Sequence, residues 1–141
     1  MNRLLLAFVL ATLMLDAFAC SGSRPNTIET FERADRVFRA KIIATELKLE
    51  EFEGESREVV HATYDLLESY KGENPQNGLL KELPFAPGNC MLGLLTGVEY
   101  VVFLKDSLYV TMPSGSWAYI NAEGSDVAPE LEKLRAFADD M

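Results

Sequence analysis

The sequence predicts a small, mainly β domain in which five strands form a barrel, with a short helix before the first strand and a second helix at the C-terminus. Three observations lead to this fold class. Apolar residues alternate with period two in segments that turn residues separate. The alternation slips by one residue within the first long strand, as in the bent strands of small barrels. The last segment has a helical period. Together these features indicate a barrel of the oligonucleotide/oligosaccharide-binding type.

Residues 1–19 have the pattern of an export signal. Arg3 supplies the positive start, Leu4 to Leu15 form an apolar run, and Ala17-Phe18-Ala19 fits a small-x-small cleavage site. The apolar run is too short to span a bilayer comfortably. We therefore expect cleavage after Ala19, which leaves residues 20–141 as one domain without a transmembrane span, in the periplasm or outside the cell.

Cys20 and Cys90 are the only cysteines in the chain. Disulfides persist in exported proteins, so we expect a bond, and two cysteines leave one possible pair. Their bond would close a loop of about 70 residues, for which the chain-entropy model gives about 4 kcal/mol. Lipid attachment to the Cys20 sulfur is the alternative, but Phe18 is bulky where lipidation signals place a small residue. We favour the disulfide, which acts at least as a structural staple, and we expect a monomer.

The first helix and strand follow from the segment after Cys20. "TIETFERAD" predicts a short helix with Thr27 as its cap and Phe31 turned inward. In the first strand, "RVFRAKIIATELKLEE", the apolar positions are even-numbered up to Ala44 and odd-numbered from Leu47 onward. This change of phase predicts a bulge or a sharp bend between Ala44 and Glu46.

The remaining elements are separated by clear turn sequences. The second strand, "EVVHATYDLLESYKG", has one face with Val60 and Tyr64 and another with His61. A shorter third strand, "LLKELPF", follows "GENPQNG", and "APGNCMLGLLTG" is a loop that carries Cys90. The tripeptide "KDS" between "VEYVVFL" and "LYVTM" predicts a tight hairpin. After "SWAYI", "SDVAPELEKLRAFADD" has the 3.6-residue apolar spacing of a helix.

The composition and the reactive residue types exclude several function classes. With 22 acidic and 13 basic residues and a net charge of -9, the chain lacks the excess of Lys and Arg that nucleic-acid binding needs. His61 is the only histidine, and the nearest acidic residue in the sequence, Glu58, shares no recognisable metal or triad spacing with it, so an ordinary strand histidine is favoured. For Trp117 and Tyr119, core packing against the last helix is favoured over an aromatic contact patch. We expect neither an enzyme nor a bound cofactor.

Five segments, taken in order, carry a resemblance to a known family: "CS" at residues 20–21, "ADRVFRAKI", "YDLLESYKG", "GNCMLGLLTGVEYVVFL" and "LEKLRAF". Their order, spacing and start at a cysteine resemble the N-terminal, inhibitory domain of the tissue inhibitors of metalloproteinases, the founding branch of the netrin-like modules. The resemblance spans almost all of residues 20–141. It implies the five-stranded barrel fold and a secreted inhibitor whose partner is a zinc metalloendopeptidase.

The resemblance also implies a mechanism. In that family the N-terminal Cys chelates the zinc of the target protease through its free α-amine and its carbonyl oxygen, and the next side chain enters the specificity pocket. By position these roles fall on Cys20 and Ser21, with zinc bound in trans. A catalytic zinc keeps an open coordination position that such a ligand can take. The residues implied in protease binding are Cys20, Ser21, Gly22, Gly88, Asn89 and Cys90.

The chain also departs from the family. Gly22 stands where the family has the second Cys of a Cys-x-Cys start, and only the Cys20–Cys90 bond remains of three family disulfides. Netrin-like modules in other proteins share the fold without inhibiting proteases. The alternative function is therefore an exported netrin-like module that binds a protein partner and in which the disulfide is purely structural.

Overall fold

The computed structural model describes residues 27–52, 54–86, 88–119 and 127–141. In chain order the elements are α1 (Ile28–Arg33), β1 (Arg36–Phe52), β2 (Glu55–Lys71), β3 (Asn77–Glu82), β4 (Glu99–Leu104), a 3-10 turn (Met112–Ser114), β5 (Trp117–Tyr119) and α2 (Val127–Asp139). The strands form one open antiparallel sheet in the order β3-β2-β1-β4-β5. The predicted mainly β class, with five strands, a short N-terminal helix and a C-terminal helix, is confirmed. The predicted export signal lies outside the described residues.

Helix α1 and the bend in β1 were both predicted from the sequence. The Thr27 hydroxyl caps α1 by accepting a hydrogen bond from the backbone N–H of Thr30 at 3.2 Å, and Phe31 is fully buried. The pairing of β1 with β2 shifts between Ile42 and Ala44, slightly before the predicted interval. Two further shifts nearer the start of β1 had no signal in the apolar alternation. Such bulges bend a strand and increase its twist.

The two halves of β1 have different surroundings. From Arg36 to Lys41 the strand pairs with β4, and from Val37 onward it also pairs with β2. Phe38 packs into the core cluster on one face of the sheet, and Val37 packs with α1 and α2 on the other. From Ile43 to Leu49 every side chain is exposed. The first half of β1 is therefore the centre of the sheet, and the second half is an outer strand.

The predicted hairpin between "VEYVVFL" and "LYVTM" is wrong. β4 pairs instead with β5, the segment Trp117–Tyr119. Tyr109 forms a parallel bridge with Lys81 of β3, in which the Lys81 N–H donates to Leu108 O at 2.9 Å and the Val110 N–H donates to Lys81 O at 2.8 Å. The chain turns away from β4 at Asp106, whose φ is +52°. This path buries Val110 in the core beside β3.

Helix α2 covers the face of the sheet that carries Val37. Leu131 and Leu134, at helical spacing, are buried there with Phe31 and Tyr70. Arg135 ties the helix to β2, because its guanidinium donates to both carboxylate oxygens of Glu68, at 2.6 and 3.0 Å. Among the described residues, no helix is long and apolar enough to cross a membrane.

Candidate functional site

The predicted inhibitory residues divide between the described and the undescribed parts of the chain. Gly88, Asn89 and Cys90 lie in the connection from β3 to β4, residues 83–98, which we call the edge loop. Cys20, Ser21 and Gly22 lie outside the described residues, and the Cys20–Cys90 disulfide stays a prediction for the same reason. The geometry of the site is therefore that of the edge loop and its supports.

Glu82, the last residue of β3, is the main support of the edge loop. Its side chain is 1% exposed. The carboxylate accepts hydrogen bonds from three successive backbone N–H groups: that of Leu92, that of Gly93 at 2.8 Å and that of Leu94 at 2.9 Å. These bonds to an ionised acceptor replace the water that a buried carboxylate loses. Glu82 therefore fixes the stretch of chain that follows Cys90.

Tyr100 of β4 supports the same stretch from a second strand. Its buried hydroxyl donates to Gly93 O at 2.7 Å and accepts from the Leu95 N–H at 3.0 Å. Burial raises the pKa of the Tyr100 hydroxyl above its ordinary value of 10.0. The hydroxyl consequently keeps its proton, and its donated hydrogen bond, at neutral pH.

The chain around Cys90 is held by three further hydrogen bonds. The Asn89 side-chain amide donates to Pro84 O at 2.6 Å, and the Asn89 N–H donates to Ala86 O at 3.2 Å. The Cys90 carbonyl accepts from the Met112 N–H at 3.0 Å. Cys90 itself has a φ of +45°, in the left-handed region. The loop thus presents Cys90 in one defined backbone conformation on a braced turn.

Apolar side chains stand exposed on the edge loop. Phe85 is 86% exposed and Leu95 is 62% exposed. A groove of about 310 Å³ runs between the start of β2, at Arg57 and Glu58, and the part of the loop that includes Phe85 and Asn89. Exposed aromatic and aliphatic groups beside a groove are typical of protein-binding surfaces.

A second polar cluster joins the far end of the β1–β2 hairpin to β3. The Lys81 ammonium donates to both carboxylate oxygens of Glu50 at 2.7 Å. His61 Nε2 lies 2.7 Å from Glu50 Oε1, and the Tyr109 hydroxyl donates to Glu50 Oε2 at 3.4 Å. The hydrogen bond from Lys81 is the largest of the effects that lower the pKa of Glu50. The ionised Glu50 carboxylate thus connects β1 with His61 of β2 and Lys81 of β3.

This cluster joins β1, β2 and β3. Lys81 donates to both oxygens of Glu50, and His61, which shares one of them, is 8% exposed. His61 is therefore a strand histidine, as predicted, with a carboxylate partner that the sequence did not indicate. Trp117 and Tyr119 are half-buried and pack against the core cluster of α2, which confirms the predicted core role. Within the described residues, no group of three or more acidic, His or Cys side chains is placed to hold a metal ion.

Sequence reasoning missed the residues that brace the site. The period-two alternation of "LLKELPF" places Glu82 on the same face as the buried Leu80, so a buried acid just before a glycine-containing loop was a signal that could have been read. Glu50 offered no such signal, because its contact with Lys81 depends on how the hairpin bends over β3.

Comparison of the sequence with models of known protein families finds no match, and comparison with curated proteins finds no significantly similar sequence.

Proposed function

We propose that the protein is an exported, netrin-like inhibitor of zinc metalloendopeptidases. In this proposal the α-amine and the carbonyl oxygen of Cys20 chelate the zinc of the protease, and Ser21 enters its specificity pocket. The observation that carries the proposal is the bracing of the loop around Cys90 by Glu82 and Tyr100. A terminus bonded to Cys90 would be attached to a fixed support.

We infer in addition that the domain is a five-stranded barrel of the oligonucleotide/oligosaccharide-binding type. The parallel bridge between Lys81 and Tyr109 supports this inference, because it brings the chain after β4 against the edge of β3. The bent β1, which pairs with β4 in its first half and with β2 along most of its length, is the strand that such a closure requires.

The proposed chemistry suits an N-terminal residue. An amine and a carbonyl oxygen on one residue close a five-membered ring around a zinc ion that has an open position. An α-amino group has an unperturbed pKa of about 7.7 to 8.0, so its loss of a proton to the metal costs little at neutral pH. No other residue of the chain can offer this pair of ligands.

The braced edge loop would contribute through preorganisation. Association costs free energy for every segment that becomes ordered on binding. The backbone N–H groups of residues 92–95 already donate to the side chains of Glu82 and Tyr100 in the unbound protein, which orders the loop. The exposed Phe85 and Leu95 then supply apolar contact area on the same loop as Cys90.

The test is an inhibition assay against a broad panel of zinc endopeptidases with correctly processed protein and with a form that carries one extra alanine before Cys20. We expect the extra residue to abolish inhibition while circular dichroism and thermal unfolding stay unchanged, because an acylated nitrogen is a poor zinc ligand. Ser21→Gly is the matched control at the same end, with a smaller effect that depends on the target, about 1 to 3 kcal/mol.

Three outcomes would reject parts of the proposal. Equal inhibition by the alanine-extended and the correct forms would reject chelation through the amine. If neither form inhibits any protease of the panel, the protein is a non-inhibitory netrin-like binding module instead. A mass increase of a diacylglyceryl group on exported protein would reject both the free terminus and the disulfide.

A further inference from the structure

A pocket of about 210 Å³ lies where helix α1, the end of β4 and the 3-10 turn meet. It shares no described lining residue with the groove beside the edge loop. An apolar protein cavity of about 150 Å³ holds one benzene molecule. The pocket therefore has room for a six-membered ring with one small substituent.

Apolar groups form the inner wall of the pocket. Phe103 and Leu104 end β4 and are buried, Ala34 caps α1, and Pro113 belongs to the 3-10 turn. Phe103 and Ala34 are also members of the core cluster that includes α2, so core packing fixes their positions. Ligand pockets in proteins are lined mainly by apolar groups, with a few polar groups that orient the ligand. This wall can therefore contact the apolar body of a small molecule.

The walls of the pocket are joined to one another before any ligand binds. The Asp35 N–H, just after α1, donates to Leu104 O at 2.8 Å and so holds the helix against β4. Gly115, at the end of the 3-10 turn, has a φ of +96°, and a Cβ built on it would lie 2.4 Å from Thr30 Cγ2. Glycine thus lets the turn approach α1 this closely. Because the pocket is preformed, little free energy is lost to ordering when a ligand binds.

The two titratable residues among the described lining of the pocket are both basic, although the chain has 22 acidic and 13 basic residues. Lys105, just after β4, is exposed and forms no ion pair within the described part of the chain. The Arg33 Nε donates to the neutral carbonyl oxygen of Glu29 at 3.3 Å. The pocket thus places positive charge beside its apolar inner wall.

The acidic residues nearby in the sequence lie outside this pocket. Glu29 and Glu32 of α1 are exposed and do not line it, whereas Arg33 does. Asp35 and Asp106 line a separate pocket, where the Asp35 carboxylate accepts from the Asp106 N–H at 2.9 Å. Within the described lining, an anion therefore meets basic side chains and no carboxylate.

We propose that this pocket binds a small organic carboxylate with a compact apolar body, of which benzoate is an example. The ring contacts Phe103 and Pro113, and the carboxylate accepts charge-assisted hydrogen bonds from Arg33 and Lys105. An inorganic anion is a poorer occupant, because it would lose hydration against the apolar wall without an apolar contact in return. A neutral ring of the same size lacks the charge-assisted bonds. The proposal does not depend on Cys20 or on inhibition.

The test is an NMR titration of the isotope-labelled exported protein with benzoate at neutral pH. We expect a saturable shift of the amide resonances of residues 30–34, 103–105 and 114–115, and nuclear Overhauser effects from the benzoate ring to Phe103 and Pro113. Two control ligands separate the contributions: benzamide keeps the ring without the charge, and acetate keeps the charge without the ring. Both should bind at least fivefold more weakly.

Protein variants test the same pocket from the other side. Lys105→Gln should weaken benzoate binding at least fivefold, and Lys105→Arg, which keeps the charge, should restore most of the affinity. Lys41→Gln on β1 is the matched control, because Lys41 is also an exposed lysine without an ion pair among the described residues. It should change the affinity less than twofold. Urea unfolding checks that all variants fold.

The proposal is overturned if benzoate leaves the resonances of these three segments unmoved. It is also overturned if benzamide binds as well as benzoate, since the pocket would then recognise only an apolar ring, or if acetate does, since the site would then hold any anion. Parent affinity in the Lys105→Gln variant, or Overhauser effects to residues outside the pocket, would likewise place the carboxylate elsewhere.

Discussion

Replacing Glu82 with glutamine tests how firmly the edge loop is held. Oε1 accepts from the N–H groups of Leu92 and Gly93, and Oε2 accepts from that of Leu94. Glutamine keeps one acceptor oxygen and turns the other into an amide donor, which cannot accept from a backbone N–H. At least one buried donor loses its partner, at about 1 to 3 kcal/mol, and the remaining bonds lose their charge. We expect Glu82→Gln to lower the free energy of unfolding by about 2 to 4 kcal/mol.

Glu82→Gln should destabilise the edge loop itself as well as the whole domain. Urea unfolding measures the change in stability, and hydrogen exchange should quicken at least tenfold for the amides of residues 92–95. Glu58→Gln, at an exposed carboxylate in the groove beside the edge loop, is the matched control, and its unfolding free energy should stay within about 0.5 kcal/mol of the parent. If Glu82→Gln is as stable as the parent and its exchange rates are unchanged, the bracing role of Glu82 is wrong.

Three further predictions concern the predicted Cys20–Cys90 disulfide, the turn at Gly115 and the carboxylate of Glu50. Cys90→Ser should cost about 2 to 4 kcal/mol in urea unfolding, and two thiols open to alkylation in the folded exported parent would contradict the disulfide. Gly115→Ala should cost about 2 to 4 kcal/mol, because φ is +96° and the new Cβ would lie 2.4 Å from Thr30 Cγ2, whereas Gly54→Ala, with φ of +82° and open space, should cost about 1 kcal/mol. A similar loss of unfolding free energy in the two alanine variants would refute the clash with Thr30 as a cause. The pKa of Glu50 is lowered in the folded protein, so the stabilisation by its ionised carboxylate is complete above pH 4.5, the ordinary pKa, and is lost as the pH falls through the folded pKa. An NMR titration of the Glu50 carboxyl carbon that finds no lowering of its pKa would contradict the ion pair with Lys81.

Local sequence signals gave the elements whose partners lie close in the chain. The cap at Thr27 needs only its own first turn, and the slip in β1 is visible as a change of parity near Ala44. The faces of α2 follow from the spacing of Leu131 and Leu134. In each case the physical cause acts over a few residues, so a window of sequence contains it.

The misses come from contacts between distant segments. The "KDS" tripeptide has the composition of a hairpin turn, yet the segment after it bridges to β3 and buries Val110 in the core there. Turn composition says that the chain changes direction there, and not which strand it then meets. The Glu50–Lys81 contact belongs to the same class, because it depends on the curvature of a hairpin that two earlier, unsignalled bulges help to set.

The outer half of the β1–β2 hairpin can change length without rebuilding the domain. Its outermost rungs, from Leu49–Glu58 to Phe52–Glu55, pair only with each other among the described residues. Because side chains alternate between faces, residues can be added or deleted there only two per strand if the remaining leucine and glutamate positions are to keep their sides. Such changes must also keep the Glu50 carboxylate in contact with the Lys81 ammonium. The hairpin is therefore the natural place for insertions and deletions among descendants of this chain, and a site where an engineered segment can be grafted in paired steps.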